Sequence, residues 1–297
     1  MSEEVKGTQI QWFPGHMTKT LRLMEAEIKN IDLVLVLLDA RIPRSSLNPE
    51  IERVCAGKPK LYLLNKSDLA DPSVTKQWVK ALSGENSACI AVSSKKQGVA
   101  NAVRAEIDKA IAPLLARRAA KGMQGAKTRI MLVGIPNVGK STFINNFAGA
   151  KLAKAADRPG VTRGKQWITV PGYELLDMPG VLWKKFEDRT TATNLAFIGS
   201  IKDNVLDMEE IAANLIGEVH RLYPGKLAER YKLKPAQMEK TGYDLLAEIG
   251  RNRGLLISGG DIDYERAAIM VVDEFRASKL GNLTLEFPAE AEDEQTV

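Results

Sequence analysis

The sequence lacks any apolar run long enough to cross a bilayer, which takes roughly 20 residues. The longest such run, residues 31–38, is much shorter and contains Asp32. The first residues also lack the basic stretch followed by an apolar stretch that marks a secretory signal or a transit peptide. We therefore expect a protein of the cytoplasm with no membrane span.

Cysteine and histidine are both scarce, with two residues of each in the chain. Cys55 and Cys89 have a spacing that matches no metal knuckle, and their apolar neighbours are typical of buried thiols. His220 lies in an amphipathic segment, which favours a structural role. His16 is left as the histidine with a candidate chemical function.

Positive charge is concentrated in one part of the chain. Of a net charge of +5, the last eight residues carry four acids, so the rest of the chain has +9. Between Ala110 and Tyr173 there are eleven basic residues and one acid, Asp157. Such a segment forms either a solvated face or a surface for a polyanion such as RNA, since clustered Lys and Arg gain affinity by releasing counterions.

The order of predicted elements favours an α/β fold. Short apolar strands at residues 31–38, 59–65, 88–93 and 129–133 alternate with helical patterns, and residues 166–170 and 173–176 form a predicted hairpin. This order predicts a doubly wound, mostly parallel sheet. After residue 201 the patterns are helical, so we expect domains at residues 1–200 and 201–288, with an acidic disordered tail at 289–297.

The strongest motif is Gly-Ile-Pro-Asn-Val-Gly-Lys-Ser at residues 134–141, the P-loop, placed between a strand and a helix. Its glycines let backbone N–H groups surround phosphates, and the helix that follows adds its positive end. Lys140 is expected to reach the β and γ phosphates. The hydroxyl of Ser141 is expected to bind Mg²⁺, which prefers oxygen ligands.

A second motif, Asn-Lys-Ser-Asp at residues 65–68, ends a buried strand and is called the base loop. The carboxylate of Asp68 can accept from the ring N–H and the exocyclic amine of guanine, whereas adenine has no such ring donor. A site built on such bonds rejects the analogue that lacks them by roughly 10⁴-fold or more. Alone the tetrapeptide is often a turn, but beside a P-loop it predicts guanine selection.

Three further segments complete the predicted site. Residues 93–95, Ser-Ser-Lys, follow the next strand and are expected to meet the guanine oxygen through their backbone. Asp177 is expected near the metal and Gly180 near the γ-phosphate. Thr162 is the candidate for the threonine that closes over Mg²⁺, with an exposed loop hydroxyl as the alternative. The predicted nucleotide-binding residues are Asn65, Lys66, Asp68, Ser93, Ser94, Asn137, Val138, Gly139, Lys140, Ser141, Thr142 and Gly180; the predicted metal ligands are Ser141, Thr162 and Asp177.

These motifs occur in a circularly permuted order, because the base loop precedes the P-loop, whereas the P-loop comes first in Ras-like GTPases. The chain resembles the circularly permuted P-loop GTPases, and most closely the ribosome biogenesis GTPase A family. The resemblance rests on residues 12–17, 39–43, 65–68, 134–141 and 177–180. It implies a GTPase with a role in late assembly of the large ribosomal subunit, whose helical C-terminal domain contacts rRNA. We expect the protein to be a monomer.

Val181 and Leu182 stand where Ras-like enzymes have a water-orienting Gln, so either another group acts in catalysis or intrinsic hydrolysis is slow. The resemblance implies that His16 acts in catalysis, with Lys140 and Thr162; the alternatives for His16 are a helix cap or an RNA contact. It also implies a K⁺ ion held by Asn137, which is otherwise an ordinary loop residue.

Two other functions remain open at this point. One is a nucleotide-gated signalling module of the same permuted class, for which hydrolysis is incidental and the ribosome is not the partner. The other is an ATPase in which residues 65–68 match the base motif by chance. Large ribosomal subunits should stimulate hydrolysis by an assembly GTPase but not by a signalling module. Competition between GTP and ATP for binding tests whether the protein is an ATPase.

Overall fold

A computed structural model describes residues 15–123, 127–149, 165–186 and 188–289 of the chain. Contacts between backbone positions divide these residues into two compact units. The first, here the nucleotide unit, contains residues 15–182 and 282–289, and the second, the helical unit, contains residues 183–281. This division differs from the expected boundary after residue 200. It also moves residues 282–288 out of the helical part, because they pack with the nucleotide unit.

The nucleotide unit is built on a six-stranded sheet with the strand order β3-β2-β1-β4-β6-β5. The strands are β1 Leu33–Asp39, β2 Lys60–Asn65, β3 Ser87–Ala91, β4 Thr128–Gly134, β5 Gln166–Val170 and β6 Tyr173–Asp177. All neighbouring pairs are parallel except β5 and β6, which form an antiparallel hairpin. The predicted α/β class with a mostly parallel sheet is confirmed.

Central position explains the composition of these strands. Every residue of β1 is buried, and in β4 only Arg129 is exposed. A parallel strand covered on both faces needs a continuous apolar run, and residues 33–38 provide one. The carboxyl ends of parallel strands meet at one edge of the sheet, which brings the loops after β1, β2, β3 and β4 together.

Within the described residues, the nucleotide unit contains the helices α1 Gly15–Glu27, α2 Pro43–Ser46, α3 Pro49–Val54, α4 Pro72–Ala81, α5 Val99–Ala120 and α6 Lys140–Ala148. Side chains start two of them. Asn48 caps α3 by accepting from the amide of Glu50, and Asp71 caps α4 by accepting from Ser73 and Val74. Each cap is followed by a proline at the first helical position, where the missing N–H costs nothing.

The helical unit contains α7 Arg189–Phe197, α8 Met208–Leu222, α9 Pro224–Tyr231, α10 Pro235–Met238, α11 Gly242–Asn252 and α12 Tyr264–Arg276. Helix α8 buries Ile211, Leu215 and Val219, three residues of the stripe seen in the sequence. The rings of Phe197 and Phe275 meet edge to face at 6.4 Å. The expected helical C-terminal region is therefore present.

Several elements were not predicted from the sequence. Helices α1, α2 and α7 had no counterpart among the predicted elements. Pro224, expected only to break a helix, is the first residue of α9.

Over the four described ranges, no helix combines the length and the apolar character needed for a bilayer.

Candidate functional site

The P-loop connects β4 to α6 at the edge where the parallel strands end. Gly134 is the last residue of β4, and Gly139 precedes α6 in a left-handed conformation with φ of 102°. Ser141 and Thr142 follow Lys140 in the first turn of the helix. The four N–H groups of that turn have no partner within the helix, so this terminus is suited to phosphate oxygens.

The side-chain amide of Asn65 joins three loops. Its nitrogen donates to the carbonyl of Val138 in the P-loop at 2.8 Å. Its oxygen accepts from the backbone N–H of Ser94 at 2.9 Å and from the Ser94 hydroxyl at 2.8 Å. Asn65, Ser93 and Ser94 are all buried. The structure thus brings the base loop, residues 93–94 and the P-loop together, although these segments are far apart in the sequence.

Glycine is required at position 139 because of this amide. A Cβ built on Gly139 would lie 2.4 Å from the side-chain nitrogen of Asn65, closer than any real contact allows. The φ of 102° is also unfavourable for other residues. The requirement for glycine here comes from the base loop as well as from the backbone conformation.

The Lys66 ammonium connects the base loop to the P-loop through a hydrogen bond. Its ammonium donates to the carbonyl of Asn137 at 2.8 Å and lies 3.0 Å from a carboxylate oxygen of Asp39. Both Lys66 and Asn137 have left-handed backbones, with φ of 58° and 59°. Such conformations cost of order 1–3 kcal/mol and persist only where neighbouring contacts hold them. Here the two strained turns hold each other.

Asp39 and Arg41 form a buried ion pair behind Lys66. The Arg41 side chain donates to both Asp39 oxygens, through Nε at 2.9 Å and through its terminal nitrogen at 2.8 Å. Burial raises the pKa of the Asp39 carboxyl, but Arg41 and Lys66 outweigh it and hold the pKa well below its usual range. Asp39 therefore remains a fixed anion that orients the Lys66 ammonium.

The sequence alone does not identify this pair as part of the site. Asp39 and Arg41 lie within the motif at residues 39–43, which predicts no role for either side chain. A signal was present, because a carboxylate and a guanidinium directly after a continuous apolar strand must be paired or exposed. The sequence does not tell which loop such a pair supports.

The remaining base-loop residue, Asp68, is half-buried at the end of a tight turn. The turn is closed by the N–H of Leu69, which donates to the carbonyl of Lys66 at 2.9 Å. The N–H of Ser67 donates to the carbonyl of Val92 at 3.1 Å, which fixes the base loop against the chain leading to Ser93. Asp68 thus lies on the same loop edge as Ser93 and Ser94.

The segment after β6 approaches the P-loop from the other side. Asp177, 4% exposed, is aligned with Leu132 of β4. Gly180 lies so close that a Cβ there would be 2.9 Å from the nitrogen of Pro136 and 3.0 Å from the Lys140 ammonium. Two of the residues predicted around the phosphates and metal, Asp177 and Gly180, therefore lie beside the P-loop.

Lys140 is part-buried between these segments, and its ammonium is 3.5 Å from the carbonyl of Gly134. Desolvation lowers the pKa of Lys140 to about 8, against the opposing effect of the Asp177 carboxylate. The Asp177 carboxylate thus supports the ammonium form of Lys140 against the effect of burial. A polyphosphate beside it would act in the same direction.

Val181 and Leu182, which follow Gly180, are buried in the nucleotide unit. The carbonyl of Val181 accepts from the Asn48 side chain at 2.9 Å, and the N–H of Leu182 donates to the Met17 sulfur at 3.4 Å. Helix α1 therefore begins beside the segment that follows Gly180. Neither side chain offers a polar group for a water molecule.

Two residues of the predicted site, Thr162 and His16, fall wholly or partly outside the described residues. Thr162 lies outside the described residues. His16 is the second residue of α1, and its side chain also lies outside the described part of the chain. The other predicted binding residues lie on the P-loop with the first turn of α6, on the base loop, at residues 93–94, or after β6.

Comparison with known proteins agrees with this arrangement. A family model described as a 50S ribosome-binding GTPase matches residues 129–231. The curated protein "Ribosome biogenesis GTPase A" of Bacillus cereus is 42% identical over 95% of this chain and 95% of its own. The protein of the same name from Thermotoga maritima is 30% identical over 94% of this chain and 95% of its own.

Solved structures give the same result for the fold. A GDP-bound structure of YlqF from T. maritima superposes with a TM-score of 0.64 at 25% identity, covering 90% of this chain and 99% of that one. A GNP-bound structure of YlqF from the same organism gives a TM-score of 0.60.

Replacing Gly139 with Ala should abolish tight GDP binding, because the new Cβ collides with the Asn65 amide that joins the three loops. Gly149→Ala is the matched control, since Gly149 has a φ of 82° but no atom within 4 Å of a built Cβ. We expect the affinity of fluorescent GDP to fall at least 10-fold for Gly139→Ala. Equal losses in the two variants would mean that strain alone, and not the Asn65 contact, is responsible.

GDP binding should take up protons at mildly alkaline pH. The Lys140 ammonium has partly lost its proton at a pH just above 8, and bound phosphates would raise its pKa again. Calorimetric titrations at about pH 8.5, in two buffers with different ionisation enthalpies, measure the protons taken up. Uptake should be smaller at about pH 7, where the lysine is already charged. Proton release at pH 8.5 would contradict the depressed pKa.

Proposed function

Because this chain belongs to the ribosome biogenesis GTPase A family, we propose that it hydrolyses GTP as an assembly factor for the large ribosomal subunit. The pre-ribosomal particle is the proposed activator. The identity to relatives of that name extends over nearly the whole chain, so it includes the helical unit as well as the nucleotide site. We place the protein in the cytoplasm as a monomer.

The observation that carries the proposal is the contact of Asn65 with Val138 and Ser94, which unites the base loop with the P-loop. In the proposed complex, the Asp68 carboxylate accepts from the guanine ring N–H and the exocyclic amine. Backbone N–H groups of residues 137–142 and of Gly180 contact the phosphates, with Lys140 between them. Ser93 and Ser94 meet the guanine oxygen.

The residues around the phosphates suit Mg²⁺, the cofactor of this GTPase family. Asp177 offers a buried carboxylate beside the P-loop, and Ser141 offers a hydroxyl in the first turn of α6. Mg²⁺ prefers such oxygen ligands together with substrate phosphates. We assign Ser141, Thr162 and Asp177 as its protein ligands, and the ion neutralises charge on the phosphates when bound.

His16 is the proposed residue that orients the attacking water. The supporting contact is that of its neighbour Met17, whose sulfur accepts from the Leu182 N–H two residues after Gly180. The start of α1 is therefore adjacent to the segment proposed to meet the γ-phosphate. An imidazole there can accept a proton or stabilise charge near neutral pH, which Val181 and Leu182 cannot do.

Ribosomal RNA is the proposed partner, and the charge distribution supports a surface of the nucleotide unit as part of the contact. Residues 183–281 contain fifteen Lys and Arg against sixteen Asp and Glu, which is close to neutral. The basic excess lies instead between Ala110 and Tyr173. A contact by the helical unit would therefore depend on local groups of basic residues and less on its overall charge.

Purified large subunits should stimulate GTP hydrolysis at least 10-fold, and His16→Ala should remove most of that stimulation while sparing GTP affinity. The measurement is release of phosphate, with and without subunits, next to nucleotide affinity for each variant. GTP should also outcompete ATP by orders of magnitude. His220→Ala is the control, because that histidine lies on α8 of the helical unit.

Two results would contradict these assignments separately. Full stimulation of His16→Ala would exclude His16 as the water-orienting group. A wild-type protein that binds GTP but does not respond to large subunits would favour the nucleotide-gated module that acts elsewhere.

A potassium ion held by Asn137 is the second proposed contribution to hydrolysis. Asn137 is exposed on the P-loop, and its left-handed backbone is held through its carbonyl by Lys66. Hydrolysis should be several-fold faster in potassium than in sodium at equal ionic strength, because the added positive charge stabilises the transferring phosphoryl group. The difference should disappear in Asn137→Ala. Equal rates in the two salts for the wild type would remove the role of Asn137.

A further inference from the structure

The last described segment, residues 282–289, runs across the nucleotide unit after the chain has left the helical unit; we call it the strap. Leu283, Thr284 and Leu285 are buried, with exposures of 1%, 0% and 6%. The segment has no helical or strand structure of its own. Its order therefore comes from contacts with the loops beneath it.

The strap is hydrogen-bonded to the loops that follow β1 and β2. The N–H of Leu285 donates to the carbonyl of Arg41 at 2.8 Å. The N–H of Leu283 donates to the carbonyl of Leu69 at 3.2 Å. Arg41 is the partner of Asp39, and Leu69 directly follows Asp68. Both backbone contacts thus end on residues that support the base loop.

Thr284 connects the same two loops through one hydroxyl. Its Oγ1 accepts from the backbone N–H of Asp71 at 3.0 Å and donates to the carbonyl of Ala40 at 3.3 Å. Ala40 follows Asp39, and Asp71 caps α4 just after the base loop. A buried hydroxyl that bridges two backbone groups constrains the distance between them, because its removal takes one hydrogen-bond partner from each group.

Glu286 anchors the far end of the strap. Its carboxylate accepts from the N–H of Ser45 at 3.0 Å and from the Ser45 hydroxyl, and its carbonyl accepts from Trp78 Nε1 at 2.8 Å. Ser45 lies in α2 and Trp78 in α4. The strap is therefore held on both sides of Thr284 by buried polar contacts.

We propose that Thr284 is a positioning residue for guanine recognition, which acts through the loops carrying Asp39 and Asp68. The inference rests on the proposed contact of Asp68 with the base. The Thr284 bridge holds Ala40 close to Asp71, and so fixes the base loop relative to Asp39, the partner of Lys66, and to the first turn of α4. Selection of the base by Asp68 requires this placement, because a carboxylate accepts two hydrogen bonds from one base only in the right orientation.

The test compares Thr284→Val, which removes the hydroxyl at nearly constant shape, with Thr284→Ser, which keeps it. Inosine diphosphate is the probe, because hypoxanthine lacks the exocyclic amine of guanine. For Thr284→Val we expect GDP to dissociate roughly 3- to 10-fold faster and the preference for GDP over inosine diphosphate to narrow by a similar factor. Thr284→Ser should stay within about twofold of the wild type, since its hydroxyl keeps the bridge.

Thr169→Val is the matched control, because Thr169 is exposed on β5 and the chemical change is the same. It should leave both nucleotides unaffected. Glu286→Gln provides a second strap variant if Thr284→Val is too unstable to study, and it should shift the preference in the same direction. Thermal melting of each variant reports the loss of stability separately from base preference.

The possible outcomes distinguish a failure of the proposed Asp68 site from a failure of the role proposed for Thr284. A wild-type protein that binds GDP and inosine diphosphate equally would show that Asp68 does not read the exocyclic amine, which contradicts the proposed site itself. A wild type that discriminates, together with a Thr284→Val variant that melts lower but discriminates equally well, would show that Thr284 contributes only to stability. That second result would overturn the inference.

Discussion

The nucleotide site depends on one planar amide, the side chain of Asn65. It joins loops that follow β2, β3 and β4, and both its nitrogen and its oxygen are satisfied by the protein. Leaving a buried polar group of this kind unpaired costs free energy, so displacement of one loop would also destabilise the contacts of the other two. The missing side chain of Gly139 leaves room for this amide, and the left-handed Lys66 and Asn137 lie in two of the loops that it joins.

Charged side chains on both sides of the P-loop also contribute to the arrangement of the site. Asp39 is ionised because Arg41 and Lys66 surround it, and the same Lys66 reaches the P-loop carbonyl of Asn137. On the other side of the P-loop, burial opposes the charge on Lys140 and Asp177 supports it. Lys66 is thus paired with a permanent anion within the fold. Burial lowers the pKa of Lys140 to about 8, and added negative charge would raise that pKa again.

Much of this site could be predicted from the sequence, because its parts follow apolar strands that have a recognisable pattern. Parallel strands bring their carboxyl ends to one edge, so the loops at residues 65–68, 93–94 and 134–141 had to be close. The role of Asp39 and Arg41 was not predictable in this way, because the sequence does not show that Lys66 is the further partner of this ion pair. The sequence places residues 282–288 of the strap in the helical domain, because Thr284 and its partner Ala40 are 244 positions apart and no local pattern connects them.

The return of the chain at Asn282 makes the nucleotide unit discontinuous, so the helical unit is an insertion and not an appendage. A protein shortened at residue 182 would lose the strap together with the helices, and defects in nucleotide handling would be wrongly ascribed to the missing helices. A fair deletion would splice residues 282–289 back onto the shortened chain by a flexible linker. Any duplication, fusion or exchange of helical units between relatives must likewise preserve two junctions.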